Sequence, residues 1–128
     1  MRQTAVTSAE APKALGPYSQ AVSIGDLVFC SGQLGLDPIS GELVSGVAAQ
    51  AERSMRNLAA VLEAAGSGLD RIVKTTIFLA NMGDFAAVNE VYGSFFSGAY
   101  PARSTVQVAG LPKGGLVEIE AVALGGSR

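Results

Sequence analysis

Apolar residues along this chain follow two rhythms: alternation with polar neighbours in short runs, and recurrence at helical spacing in two longer ones. After the turn-forming Gly16-Pro17-Tyr18, the runs Ser19–Ile24 and Leu27–Leu34 read as strands, and Gly25-Asp26 between them suits a two-residue hairpin turn. Asp37-Pro38-Ile39-Ser40-Gly41-Glu42 is loop by its Pro and Gly. From Val47, the positions Ala51, Met55, Leu58 and Leu62 continue a helical stripe that excludes Arg53, Arg56 and Glu63, and Gly66 supplies the stop. Ile72–Leu79 is rich in β-branched residues and predicts a third strand. Asp84 is a good N-cap for a second helix with Phe85, Val88, Tyr92 and Phe95 on one core-facing stripe as far as Gly98, and Asn89 off that stripe. Arg103–Ala109 and Leu116–Leu124 alternate again, joined by Gly110-Leu111-Pro112-Lys113-Gly114-Gly115.

The resulting order, β-β-α-β-α-β-β, predicts an α+β fold: a mostly antiparallel sheet with two helices packed on one face, forming a single domain over residues 1–128. No repeat, linker or low-complexity tract interrupts it. Side chains alternate across a strand, so Arg103, Thr105 and Gln107 share one face and Ser104, Val106 and Val108 the other. If the last two strands pair across their loop, Val106 meets the apolar set Val117, Ile119, Ala121 and Ala123 beneath the helices. The helix-free face then collects Arg103, Thr105, Gln107, Glu118 and Glu120 beside Leu116, Val122 and Leu124. Large apolar residues next to charges suit neither an interior nor a wet surface, which predicts a subunit interface with charged clefts between copies.

Composition sharpens this. With 48 % hydrophobic and 16 % charged residues, the chain is too apolar for disorder and thin in charge for a solvated monomer. The net charge is −2 and the nine Lys and Arg are scattered, so no nucleic-acid partner is expected. Arg2 followed by a polar mixture, and the lack of a long apolar run, predict a cytoplasmic protein with no membrane partner. The absence of histidine excludes imidazole acid/base chemistry, Ser-His-Asp triads and His-ligated zinc, and no metal or other cofactor is expected. Cys30, the single cysteine, lies in an apolar run and reads as a small core residue. By pattern alone Arg103 is equally a salt-bridge partner for Glu118 or Glu120 and an anion anchor, and the two glutamates read first as a solvated strand face.

Several blocks give a resemblance. Tyr100-Pro101-Ala102-Arg103-Ser104-Thr105-Val106-Gln107-Val108, then Leu111-Pro112-Lys113-Gly114 and Val117-Glu118-Ile119-Glu120-Ala121, closely resemble the signature of the RidA/YjgF (reactive intermediate deaminase) family. Gly16-Pro17-Tyr18-Ser19-Gln20, Phe29-Cys30-Ser31-Gly32-Gln33 and Asp84-Phe85-Ala86-Ala87-Val88-Asn89 with Tyr92 extend the likeness over essentially the whole chain. The resemblance implies a chorismate-mutase-like fold, a homotrimer and equivalent clefts at the subunit boundaries. In active members the reaction is hydrolysis of enamines and imines, such as 2-aminoacrylate and 2-iminopropionate, to 2-keto acids and ammonia.

Carried over by position, Arg103 grips the substrate carboxylate, and Tyr18, Ser31, Asn89 and Glu118 line the cleft; a carboxylate such as Glu118 in a partly dry cleft is chemically suited to take a proton from the attacking water. Thr105 stands where the family often has Cys and would act through its backbone. Ser97-Gly98-Ala99-Tyr100 is shorter than in many relatives, which bears on the cleft rim. An imine carbon beside a carboxylate is already electrophilic, so orientation and modest electrostatics suffice, and the planar fork of arginine suits a carboxylate. The same clefts would also serve a non-catalytic binder of small keto acids or a relative specialised for another enamine acid such as 2-aminomuconate. An endoribonuclease activity, attached to some members, fits poorly with the charge pattern.

Overall fold

A computed structural model describes residues 2–125; residue 1 and residues 126–128, the ends of the expected domain, lie outside the described residues. Six strands form one sheet: β1 (Gln3–Val6), β2 (Ala21–Ile24), β3 (Leu27–Leu34), β4 (Ile72–Leu79), β5 (Ala102–Gln107) and β6 (Val117–Leu124), in the order β1-β2-β3-β6-β4-β5. All pairings are antiparallel except β4 with β5. Two helices, α1 (Val47–Ala64) and α2 (Phe85–Gly93), accompany it, so the architecture is α+β as expected.

The strongest periodicity gives the best-formed element. Ala51, Met55, Leu58 and Leu62 of α1 are fully buried and pack on the inward side of β3 and β6. There β6 offers Val117, Ile119, Ala121 and Ala123, alternating with half-exposed Glu118, Glu120 and Val122. The N-terminal part of α1 comes close to the chain after β3: a Cβ on Gly35 would stand 2.5 Å from the Gln50 backbone, so only glycine fits. Asn57, buried on the same helix, donates to the carbonyls of Leu34 and Leu36 and so ties that chain to the core. Cys30 is buried and its thiol is pushed up to about 12 by that burial, in keeping with a core residue.

The first hairpin turns at Gly25-Asp26 with Gly25 at φ +56°, as its sequence indicates. Some boundaries differ: α2 ends at Gly93 rather than near Gly98, and β5 ends at Gln107. The strand β1 was not expected; its four residues, three of them exposed, are too short a run to carry a pattern.

The pairing of the last two strands requires correction. β5 does not form a hairpin with β6; β4 lies between them, paired antiparallel to β6 and parallel to β5. A parallel neighbour needs a crossover, and α2 between β4 and β5 provides it. Register then reverses the predicted facing of β5. Arg103, Thr105 and Gln107 pair with Thr75, Ile77 and Leu79, which point into the core, so they face the helices. Ser104 and Val106 turn to the helix-free face, where Leu27, Phe29, Val106 and Leu124 are between 37 and 45 % exposed. An apolar patch on that face persists, with a different membership from the expected one.

Candidate functional site

The sequence-predicted site residues fall into two groups, on opposite sides of the sheet. On the helix side, Arg103 projects from the edge strand β5 toward α2 and its Nη1 donates to Asn89 Oδ1 at 2.5 Å. Its Cζ lies 5.5 Å from the Phe85 ring centroid and 5.3 Å from that of Tyr92. Asn89 is exposed and stands off the buried pair Val88 and Tyr92, as expected from the sequence; with Phe85 and Tyr92 it takes positions i, i+4 and i+7, and all three contact Arg103. Asn89, Tyr92, Tyr100, Pro101 and Arg103 border an open cleft of about 430 Å³, so the short segment before Pro101 does form a rim. The salt bridge to Glu118 or Glu120 that pattern left open for Arg103 is ruled out within one chain, because both carboxylates lie on the other face of the sheet.

Glu118, Ser31 and Tyr18 make the second group, in a cleft of about 470 Å³. A bulge in β3 creates it. Cys30 pairs with Ala121 and Gln33 with Ile119, so Ser31 and Gly32 together oppose Glu120 alone and the strand bends there. Ser31 Oγ donates to the Ser19 carbonyl at 2.7 Å, which commits its proton and leaves its lone pairs toward the cleft. Buried Gln20 accepts from the Ser8 amide and donates to the carbonyls of Ser8 and Pro12, holding the chain before Tyr18 as one wall. Tyr18 itself is exposed. Burial, and after it the charge of Glu120, raise the Glu118 carboxyl above its ordinary range.

Gly32 is what admits Glu118. A Cβ there would stand 2.7 Å from Glu118 Cδ and 2.8 Å from Cγ, so Gly32→Ala must displace the carboxylate. If Glu118 serves the reaction proposed below, that displacement is expected to lower kcat by about 10- to 100-fold with KM little changed; steady-state kinetics checks it.

Thr105 joins neither group through its side chain. Among the described residues its buried Oγ1 has no hydrogen-bond partner, and β5, at the edge of the sheet, keeps one row of backbone groups unpaired by any other strand. Lys13 and Lys113, neither of them singled out as a site residue from the sequence, bring positive charge to the lining of the Glu118 cleft. Lys113 takes φ +59° and its Nζ donates to the Gly41 carbonyl at 3.2 Å, a long-range contact without a local pattern. Among the described residues no cluster of His, Cys, Asp or Glu is arranged to hold a metal ion, and no helix is long and apolar enough to cross a membrane.

The family model described as endoribonuclease L-PSP matches residues 8–125. The protein DfrA of Myxococcus xanthus is 57 % identical, over 97 % of this chain and 97 % of its own. A mouse protein named 2-iminobutanoate/2-iminopropanoate deaminase is 50 % identical, over 94 % of this chain and 90 % of its own. The crystal structure of E. coli TdcF with bound serine superposes with a TM-score of 0.92 at 44 % identity, covering 96 % of this chain and 99 % of that one.

Proposed function

The chain belongs to the RidA/YjgF family, and on that premise we propose that it hydrolyses enamine and imine acids of the 2-aminoacrylate/2-iminopropionate type to 2-keto acids and ammonia. The observation that carries this reading is Arg103: a guanidinium anchored by a neutral amide, facing an open cleft, with the rest of its fork free for a carboxylate. Relatives at 50 % identity bear the names of such deaminases, which supports the same chemistry here.

The separation of Arg103 from Glu118 supports a site shared between copies of the chain. One substrate of three or four carbons cannot reach both faces of one sheet, so the complete site takes Arg103 from one copy and Glu118, Tyr18 and Ser31 from a neighbour. A homotrimer of the family type, closed through the apolar helix-free face, provides three such sites, and Leu27, Phe29, Val106 and Leu124 support that burial. A cytoplasmic, cofactor-independent reaction without nucleic acid belongs to the same reading.

The chemistry is simple once the substrate is held. The enamine tautomerises to the imine by protonation at its terminal carbon. Arg103 and the open backbone edge at Thr105 hold the carboxylate. Glu118 accepts a proton from water as the water oxygen bonds to the imine carbon and the C=N pair moves to nitrogen. Glu118 returns that proton to the nitrogen, giving the carbinolamine. The hydroxyl then gives up its own proton, which passes to the nitrogen as the O–H pair forms the keto group and the C–N bond breaks to release ammonia, and Ser31 accepts from the departing N–H.

Generating 2-aminoacrylate from serine with a dehydratase and following pyruvate release tests this directly. Acceleration by the protein is expected. An unchanged rate at stoichiometric protein overturns the reading for this substrate, and leaves the keto-acid binder that the same anchor would serve.

A further inference from the structure

We propose that Phe85 and Tyr92, with Thr75 behind them, are positioning residues that fix the direction in which Arg103 presents its guanidinium; this rests on Arg103 being the carboxylate anchor. Asn89 alone cannot do it. A single hydrogen bond to an exposed amide leaves the long arginine side chain free to rotate about that contact. Two aromatic rings within 6 Å of Cζ add attraction between the cation and the rings, and so constrain where the guanidinium lies.

The rings are themselves held. Tyr92 is 3 % exposed, and its hydroxyl is hydrogen-bonded to Thr75 Oγ1 at 2.7 Å. Thr75, fully buried on β4, is also the register partner of Arg103 on β5. The contacts therefore close a circuit from strand to helix and back to the neighbouring strand: Thr75 fixes Tyr92, Tyr92 and Phe85 fix Arg103, and Arg103 lies beside Thr75. Phe85 is 39 % exposed and stands outside the hydrophobic core, with Arg103 Cζ 5.5 Å from its ring centroid. A partly exposed phenylalanine at the first position of α2 has a functional account in this role.

Two measurements on the intact protein separate this proposal from the reading it rests on. Without any ligand, the Arg103 Nε–H resonance is expected to be displaced by the ring currents of Phe85 and Tyr92, and to move toward the free-arginine position in Phe85→Leu. With pyruvate as the probe, Phe85→Leu is expected to raise Kd, and KM in turnover, by about three- to tenfold, with kcat and thermal stability nearly unchanged and recovery in Phe85→Tyr. Tyr92→Phe and Thr75→Val keep the ring but release it, and should give a smaller rise of the same kind.

If Phe85→Leu binds pyruvate as tightly as wild type while Arg103→Ala does not bind it, the positioning role is wrong and the anchor stands. An Arg103 resonance unmoved by Phe85→Leu is equally contrary to the proposal. If the wild type fails to bind pyruvate, the anchor reading falls and takes this proposal with it.

Discussion

Replacing Arg103 with alanine is expected to lower kcat/KM by about 10²- to 10³-fold, because two charge-assisted hydrogen bonds to the carboxylate are lost. Folding and self-association should persist: Arg103 is half-buried at the edge of the sheet, and none of its observed contacts reaches the fully buried stripe of α1. Arg103→Lys is the sharper variant. It keeps the charge but has neither the fork for a carboxylate nor the planar surface for the two rings, so a loss of about tenfold or more is expected. Full activity in the lysine variant, read from pyruvate release, would contradict the bidentate geometry.

Glu118→Gln should act on the other half of the site. Loss of an acid/base group is expected to cost about 10²- to 10⁴-fold in kcat while affinity for pyruvate survives, which distinguishes a catalyst from a binder. Stability should move the other way. The Glu118 carboxyl is raised in the fold by burial and then by Glu120, so ionising it costs folding free energy. That cost is absent in acid, where folded and unfolded chains both hold the proton. It grows as pH rises through the ordinary carboxylate range and is complete above the raised value. The glutamine variant should therefore match wild type in Tm at low pH and exceed it near neutrality. Glu120→Gln removes the repulsive neighbour, so the acid limb of kcat/KM should shift to lower pH.

The sequence was most legible where one period ran long. The stripe of α1 and the alternation of β6 specified both element and buried face, and Gly25-Asp26 specified the hairpin. Which strand lies beside which was not legible. Alternation assigns residues to two faces but does not say which face meets the helices, and in β5 that depends on whether the neighbour is β6 or β4. Choosing the hairpin put Arg103 on the side of Glu118; the parallel crossover puts it against α2. The motif resemblance named Arg103, Asn89, Tyr18, Ser31 and Glu118 by position without direction, and in the structure they line two clefts on opposite faces of the sheet. Gly32 was readable only as part of that motif, because its role is a steric one toward Glu118, far along the chain. Lys113 was likewise readable only as part of the block Leu111-Pro112-Lys113-Gly114, and Lys13 carried no signal beyond its charge.

The corrected facing makes the central claim specific: one reaction site drawing Arg103 and Glu118 from two copies of the chain. Mixing unfolded Arg103→Ala and Glu118→Gln chains in equal amounts and refolding them together tests it most directly. Each variant alone is expected to be nearly inactive. Random assembly should restore about one quarter of the wild-type rate, since one boundary in four pairs an intact Arg103 with an intact Glu118. A mixture no more active than the two variants kept apart would contradict a shared site.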